Sequence, residues 1–458
     1  MSFASRALAA GAGAIVVALA AGTSGFTSAA LAAPSAASAA PSAASAGPVS
    51  TTPASGTPTL NKTTTEQKIR QIVQCGSMMY AVGFFWSVSQ NGVTYHPTGV
   101  MSFSATAPYT LSTLSAGVAG ADGEVNSIAF INGNCADAYI GGSFTSVNGT
   151  PATNIAEIDT TTGAVVPTFG HDANDTVDTL AGYGNELLAG GRFTQTNGFS
   201  RSYFESLNPS TGQVDGFVNL NISGNVTGNP PQVYNQQFSH GGTLDLVEGN
   251  FKSVGGQPRQ QIFMLNLAGS TAQVTGWTSP EFSQDCVSEE AFYVRSAAWS
   301  PDDLTVYVAD TGFHPLNWQK GTYPLYGLCD VVAAFPATQT AVSHSWVEYS
   351  GCDSYYSVAA DDGAVYAAGH PRWADNPDGC NFAGPGAFQD YGLQGLNLAT
   401  GQALANSKGK PLYSMSRANA DSMLITSAGL WIASSNRYGS QVCEGVSGHS
   451  GICFLPYT

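Results

Sequence analysis

The octet Gly142-Ser-Phe-Thr-Ser-Val-Asn-Gly149 returns as Gly191-Arg-Phe-Thr-Gln-Thr-Asn-Gly198, and again as Gly249-Asn-Phe-Lys-Ser-Val-Gly-Gly256. A repeat with a fixed period settles an architecture before any single residue is read. The strand that carries the motif opens on an aromatic residue or Leu: Tyr80, Tyr139, Leu188, Leu246, Tyr307, Tyr366 and Trp431. Successive openings lie 59, 49, 58, 61, 59 and 65 residues apart. That spacing is too long for one hairpin and suits one four-stranded sheet per copy. The expected fold is therefore all-β: a seven-bladed β-propeller of four-stranded antiparallel blades.

The better-preserved copies spell out the four strands. Strand a precedes the motif, as in Val125-Asn-Ser-Ile-Ala-Phe130 and Val294-Arg-Ser-Ala-Ala-Trp299. Strand b carries Gly-x-Phe, and strand c follows an Asn-Gly turn, the usual chemistry of a hairpin loop. A Thr-Gly turn leads to strand d, as in Ala164-Val-Val-Pro-Thr-Phe169. The last copy has strands a, b and c and then ends. Pro58-Thr59-Leu60 is expected to supply its missing strand, so that the N-terminal segment closes the ring.

Composition narrows the partners. Of 458 residues only 10 % are charged and 53 are Gly, which favours a turn-rich β protein over a helical one. The net charge of −16 argues against nucleic acid and against an anionic membrane surface. Residues 1–32 read as an export signal, with Arg6 ahead of an apolar run and small residues around Ala32. Residues 33–56 read as an Ala/Ser/Pro-rich flexible linker, and residues 57–458 as the propeller. The mature chain is expected to be extracellular and monomeric, with no membrane span.

The strings YIGGSFTSVNG, NIAEIDTTTG, VVPTF and VDTLAGYGNELLAGGRF resemble the delta-60 repeat family of secreted bacterial β-propellers. Near the C-terminus AAGHPRW, GPGAFQDYGLQGLNLATG, GLWIASSN and ICFLPY are similar to related actinobacterial propellers. The resemblance spans about Thr57 to Thr458 and implies a propeller fold and export. It implies no activity, so no catalytic residue is carried over.

Eight cysteines in an exported chain point to disulfides. Cys75 and Cys135 fall in a–b turns on one face of the expected propeller. Cys286, Cys329, Cys352, Cys380, Cys443 and Cys453 fall on the opposite face. Cys75–Cys135 is expected, and among the other six the local pairs Cys286–Cys329, Cys352–Cys380 and Cys443–Cys453 are favoured. The face with six cysteines also carries three long b–c connections, Asp310–Leu328, Gly369–Tyr391 and Ala433–Gly451. Long loops on a rigid scaffold commonly carry function.

Those loops hold the candidate ligand-binding residues Asp310, His314, Trp318, His370, Arg372, Trp373, Asp375 and Tyr438. Aromatic rings beside carboxylates suit sugars: the rings meet C–H faces and the acids accept hydroxyl protons. The same residues could instead form a small core for the loops. The leading expectation is a non-catalytic binding protein for polysaccharide or cell-wall glycan. A carbohydrate hydrolase or lyase on the same face and a protein-interaction module are the alternatives. No metal or cofactor is expected. His314, His370 and His449 would have to converge from three loops to hold a metal ion, and unlinked loop histidines are more often surface residues.

Overall fold

The computed structural model describes residues 47–112, 114, 120–226, 230–283, 286, 292–312, 328–338, 340–413, 420–436 and 449–458. Regular structure among them is β apart from short 3-10 turns. Each copy of the repeat forms one antiparallel sheet in the order a-b-c. Sheet one is Lys68–Cys75, Met78–Phe84 and Val100–Ser104; sheet two is Glu124–Ala129, Asp137–Ser143 and Ile155–Asp159. Sheet three is Val177–Tyr183, Glu186–Gly191 and Phe204–Leu207; sheet four is Gln232–Phe238, Leu244–Asn250 and Ile262–Asn266. Sheet five is Tyr293–Trp299, Thr305–Thr311 and Val331–Pro336; sheet six is Tyr355–Ala360, Val365–Gly369 and Leu393–Leu396. Sheet seven is Ala420–Thr426, Gly429–Ser434 and Ile452–Pro456. A fourth strand joins sheets four and five, Gln273–Val274 and Trp346–Tyr349 respectively. In sheets one, two, three and six a single bridge marks its place: Phe103–Leu111, Ile158–Val165, Leu207–Val214 and Leu396–Ala403.

The first strand of each sheet packs against the first strand of the next, and Ala420–Thr426 of sheet seven packs against Lys68–Cys75 of sheet one. Radial repetition of small antiparallel sheets is the β-propeller architecture. The apolar core is accordingly divided into slabs between neighbouring sheets. One slab joins Leu188, Phe204, Val247, Phe251 and Phe263. Another joins Ile69, Met79, Phe85 and Phe103 of sheet one to Trp431 and Phe454 of sheet seven.

The repeat motif now has a physical reading. Phe85, Phe144, Phe193 and Phe251 are each buried in a slab between sheets. The Asn-Gly pair is the hairpin turn of the b–c arm. Asn148 and Gly149 have φ of 50° and 74°, and Asn197 and Gly198 have 50° and 83°, the left-handed pair that a type I′ turn requires. The first glycine of the motif has a different task. In every sheet strand a carries a β-bulge at one place, between Ile69 and Gln71, Val125 and Ser127, Val177 and Thr179, Val233 and Asn235, Val294 and Ser296, Tyr355 and Ser357, and Ala420 and Ser422. Gly83, Gly142, Gly191, Gly249 and Gly369 lie on strand b opposite that bulge. A Cβ on any of them would sit 2.1–2.3 Å from a carbonyl oxygen of strand a. The glycine therefore makes room for the bulge.

The described residues begin at Gly47, inside the segment expected to be linker. The expected Thr59-Leu60 does run beside the last copy's third strand, where Thr59 bridges Gly451 and Leu60 N–H donates to Ser450 O at 2.9 Å, but the contact begins earlier: the Ser50 and Ala54 N–H groups donate to Pro456 O and Phe454 O at 2.8 and 2.9 Å. Thr59 and Leu60 also pair with Ser89 and Val88. Val49 is buried and held at both backbone groups, with its N–H donating to the Tyr366 hydroxyl (2.9 Å) and its carbonyl accepting from the Tyr413 hydroxyl (2.6 Å). Asp361 anchors this clasp, since its Oδ2 accepts from Tyr366 and from Tyr457, each at 2.9 Å.

Three expected disulfides are present: Cys75–Cys135, Cys286–Cys329 and Cys352–Cys380. Cys453 is also disulfide-bonded. Its expected partner, Cys443, lies outside the described residues. No helix among the described residues is long and apolar enough to cross a membrane.

Candidate ligand-binding site

A β-bulge adds one residue to a strand and re-aims its side chain. The residues added by the seven bulges are Arg70, Asn126, Asp178, Tyr234, Arg295, Tyr356 and Asp421. All seven line one cavity of about 770 Å³ bounded by the first strands of all seven sheets. Each occupies the same register near the start of strand a. The cavity thus gathers one long polar or aromatic side chain from every sheet, and none of the seven is aliphatic. In several sheets the residue after the bulge ties neighbouring strands together. The Ser127 hydroxyl donates to Gln71 (3.0 Å) and accepts from Leu180 N (2.9 Å), and the Ser357 hydroxyl donates to Ala420 O (2.8 Å). Ser296 likewise accepts from Val358 N at 3.3 Å. The ring of bulges is therefore pinned from beneath.

Three chemical arcs make up the rim. The first is ionic. Arg70 Nε lies 2.5 Å from Glu124 Oε1, Lys68 Nζ lies 3.2 Å from the same oxygen, and Arg70 Nη1 lies 3.4 Å from Asp421. Burial opposes the charge on Arg70, but Asp421 and Glu124 outweigh it and hold its pKa above the usual value. Burial likewise pushes Glu124 upward, and Arg70 and Lys68 overcome that and lower it.

The second arc is a carboxyl between two amides. Asn126 Nδ2 donates to Asp178 Oδ1 at 3.0 Å, and Gln232 Nε2 donates to Asp178 Oδ2. Burial pushes the Asp178 pKa up to about 7, against the pull of Gln232, Arg192 and Arg70. Near neutral pH this carboxyl therefore exchanges between an acceptor-only form and one that can donate.

The third arc is aromatic. Tyr234 and Tyr293 stack with ring centroids 4.4 Å apart. The Arg295 guanidinium lies 4.4 Å from the Tyr356 ring centroid and 5.8 Å from that of Tyr293. Burial raises the pKa of both Tyr234 and Tyr356, the latter to about 12, so both hydroxyls stay protonated at neutral pH.

The loop residues singled out from sequence are placed differently. Asp310 is 2 % exposed, on strand b opposite the bulge where five other sheets have glycine, and its Oδ1 accepts from Val331 N at 3.0 Å. Burial holds its carboxyl well above the usual range. Arg372 is forked onto Asp353 at 2.7 and 3.0 Å and also donates to Asn381. Asp375 is half-buried, and its N–H donates to the buried Glu348 at 2.7 Å. Trp373 is half-buried in a short ladder with Gln389. His314, Trp318 and Tyr438 lie outside the described residues. His370 alone of the five described candidates reaches the cavity rim, edge-on to Tyr356 with ring centroids 5.3 Å apart. His449 has both ring nitrogens engaged, by Thr57, Thr59 and Ile452 O.

Sequence reading singled out the loops and did not point to the central ring. The signal was present: strand a reads apolar-x-Ser/Thr in several copies, and x is Asn126, Asp178, Arg295, Tyr356 or Asp421. A position that varies within a repeat while its neighbours stay fixed marks a side chain released from packing.

No family model matches the chain, and no curated protein matches it. Among solved structures the chain is similar to one titled "Structure of U3-55K", at 11 % identity and a TM-score of 0.47, covering 88 % of this chain and 100 % of that one. It is also similar to the RRP9 WD40 repeats, at 12 % identity and a TM-score of 0.45, covering 89 % and 99 %. The WD40 β-propeller domain of Doa1 follows at 10 % identity and 0.40, covering 86 % and 96 %. The architecture described above rests on this chain's own strand pairing and packing.

Proposed function

We propose that this chain is a secreted, non-catalytic β-propeller of the delta-60 type that binds a glycan in its axial mouth. The observation that carries the reading is the convergence of seven bulge residues, one per sheet, on a single cavity. Seven blades form a closed ring in this reading. The packing of Lys68–Cys75 on Ala420–Thr426 and the pairing of Ser50 and Ala54 with the last strand support it. A closed ring hides sheet edges that would otherwise template association. The disulfides and the N-terminal sequence support export.

The chemistry of the mouth suits a polyhydroxylated ligand. Stacked tyrosines present flat apolar faces with hydroxyls at their edges. Planar amide, carboxyl and guanidinium groups around them offer paired donors and acceptors to vicinal hydroxyls. Many of these groups already hydrogen-bond one another, so the site is set before the ligand arrives and little ordering opposes binding.

The test is to incubate the purified chain with insoluble cellulose, chitin, xylan, pectin and bacterial cell wall, then assay protein in the pellet and sugar in the supernatant. Retention without sugar release is expected. One observation favours a second reading, a glycan hydrolase or lyase: the Asp178 carboxyl titrates where a general acid is useful. Released sugar would establish that reading and overturn the non-catalytic one. Retention on none of the polymers would remove glycans and leave a protein partner. N-terminal sequencing of exported material should begin near Ala33, and a start at Met1 would contradict export through a cleaved signal.

A further inference from the structure

Two arginines in the mouth donate no side-chain hydrogen bond among the described residues. Arg192 lines the cavity and is exposed, and its guanidinium makes no hydrogen bond or ion pair among the described residues. It is the variable residue of the motif Gly191-Arg-Phe193. Arg295 lies among the rings of Tyr293 and Tyr356, and its nearest carboxylate, Asp421, is 3.8 Å away and shared with Arg70. Both arginines act electrostatically on the Tyr234 hydroxyl, each favouring its ionised form. All three line the cavity, and Tyr234 of sheet four stands between Arg192, at the end of the second strand of sheet three, and Arg295 of sheet five in the order of the sheets.

Basic side chains are concentrated around this region. Arg70, Arg192 and Arg295, three of the chain's 15 basic residues, line one cavity of a protein whose net charge is −16, and Lys68 lies behind them on Glu124. Glu124 neutralises Arg70 and Lys68 in part, and Asp421 is divided between Arg70 and Arg295. Asp178, held by Asn126 and Gln232, carries only part of a charge near neutral pH. An arginine lying on aromatic rings keeps its in-plane N–H groups free for a planar anion. A cationic pocket with low-dielectric walls concentrates anions against an acidic background.

We propose that the axial mouth selects an anionic sugar, carboxylated or sulfated, whose acidic group lies between Arg192 and Arg295 beside Tyr234. This rests on the glycan reading above. The anion supplies acceptors that neither arginine finds in the protein, and the tyrosines carry the ring of the same sugar unit. Neutral sugars would engage the aromatic and amide arcs alone.

The test is calorimetric titration of the full chain with trigalacturonic acid, with its fully methyl-esterified form, and with a sulfated galacto-oligosaccharide. Arg192→Ala and Arg192→Lys are titrated in parallel. An acidic oligomer should bind at least about tenfold tighter than the ester, the size of a charge-assisted hydrogen bond. The preference should shrink with added salt, fall to near unity in Arg192→Ala and return in part in Arg192→Lys. The better of the carboxylated and sulfated oligomers identifies the anion. Equal affinity for acid and ester would overturn the anionic selectivity and leave the glycan reading standing. Binding of none of the three, together with failure of the polymer assay, would overturn both.

Discussion

The axial mouth and the described outer segments of copies five and six are built by opposite means. The mouth is made from the most regular part of the repeat. One bulge per sheet, with a glycine opposite it in five of the seven, aims one variable side chain inward. The outer loops depart from the repeat, are stapled by Cys286–Cys329 and Cys352–Cys380, and turn several of their charged groups on one another. Arg372 is spent on Asp353, and Asp375 on Glu348 and Ala403 N. The contrast shows that decoration is a poor guide to where a repeat protein presents free chemistry. A fixed backbone with one variable register does it with less strain and better positioning.

The largest effects should come from breaking the repeat itself. Phe193→Ala empties a fully buried site and should cost about 3–5 kcal/mol in urea unfolding. A loss under about 1 kcal/mol would show that the ring is not part of the core. Gly191→Ala drives a Cβ to 2.2 Å from Thr176 O. It should cost about 3 kcal/mol or more and displace Asp178 from its amides. Gly198→Ala, in an open turn with φ of 83°, should cost only about 1 kcal/mol. Equal losses for the two glycines would contradict the role assigned to the bulge.

The outer loops should respond differently. Replacing Cys352 and Cys380 together by Ser opens a bridge that spans 28 residues and should cost about 2–4 kcal/mol. Glycan affinity should hardly change. A loss of binding beyond tenfold would move the site back to the loops.

A smaller, pH-dependent effect lies within sheet four. Glu248 occupies the strand-b position held by Gly141 and Gly190 in sheets two and three, and both its carboxyl oxygens are buried without a hydrogen-bond partner. Burial, reinforced by Asp245, holds its pKa well above the usual range. With the folded pKa raised, its contribution to stability is intact below the unfolded pKa of about 4.3 and is lost as pH rises. Glu248→Gln cannot titrate, so its stability relative to wild type should climb by about 1.4 kcal/mol per pH unit between pH 5 and 7. A constant difference across that range, followed by thermal melts, would show that Glu248 ionises freely.

Much of the architecture was legible because the repeat is written in backbone chemistry. Asn-Gly announced the hairpin arms, Phe193 and its equivalents announced the core, and cysteine placement foretold Cys75–Cys135, Cys286–Cys329 and Cys352–Cys380. The N-terminal segment was expected at Pro58-Thr59-Leu60, and Thr59 and Leu60 do meet Gly451 and Ser450. Its earlier start was not legible: Ser50 and Ala54 are drawn to the last strand beside a clasp of Tyr366, Tyr413 and Asp361 that no local pattern reveals. Asp310 read as a loop carboxylate because nothing local records that its strand runs on past the repeat's glycine position and buries it. The axial ring was missed for a related reason. Period-two alternation assigns x of apolar-x-Ser to one face of a flat strand, and only the bulge turns it inward.

The most direct measurement compares three proteins on the glycan that the polymer assay selects: wild type, Tyr234→Ala in the axial mouth, and Trp373→Ala in the outer loops. Circular dichroism and melting curves would first establish that all three fold. The axial account predicts that Tyr234→Ala loses binding by tenfold or more while Trp373→Ala stays within about twofold of wild type. Binding that survives Tyr234→Ala and is lost in Trp373→Ala would contradict it.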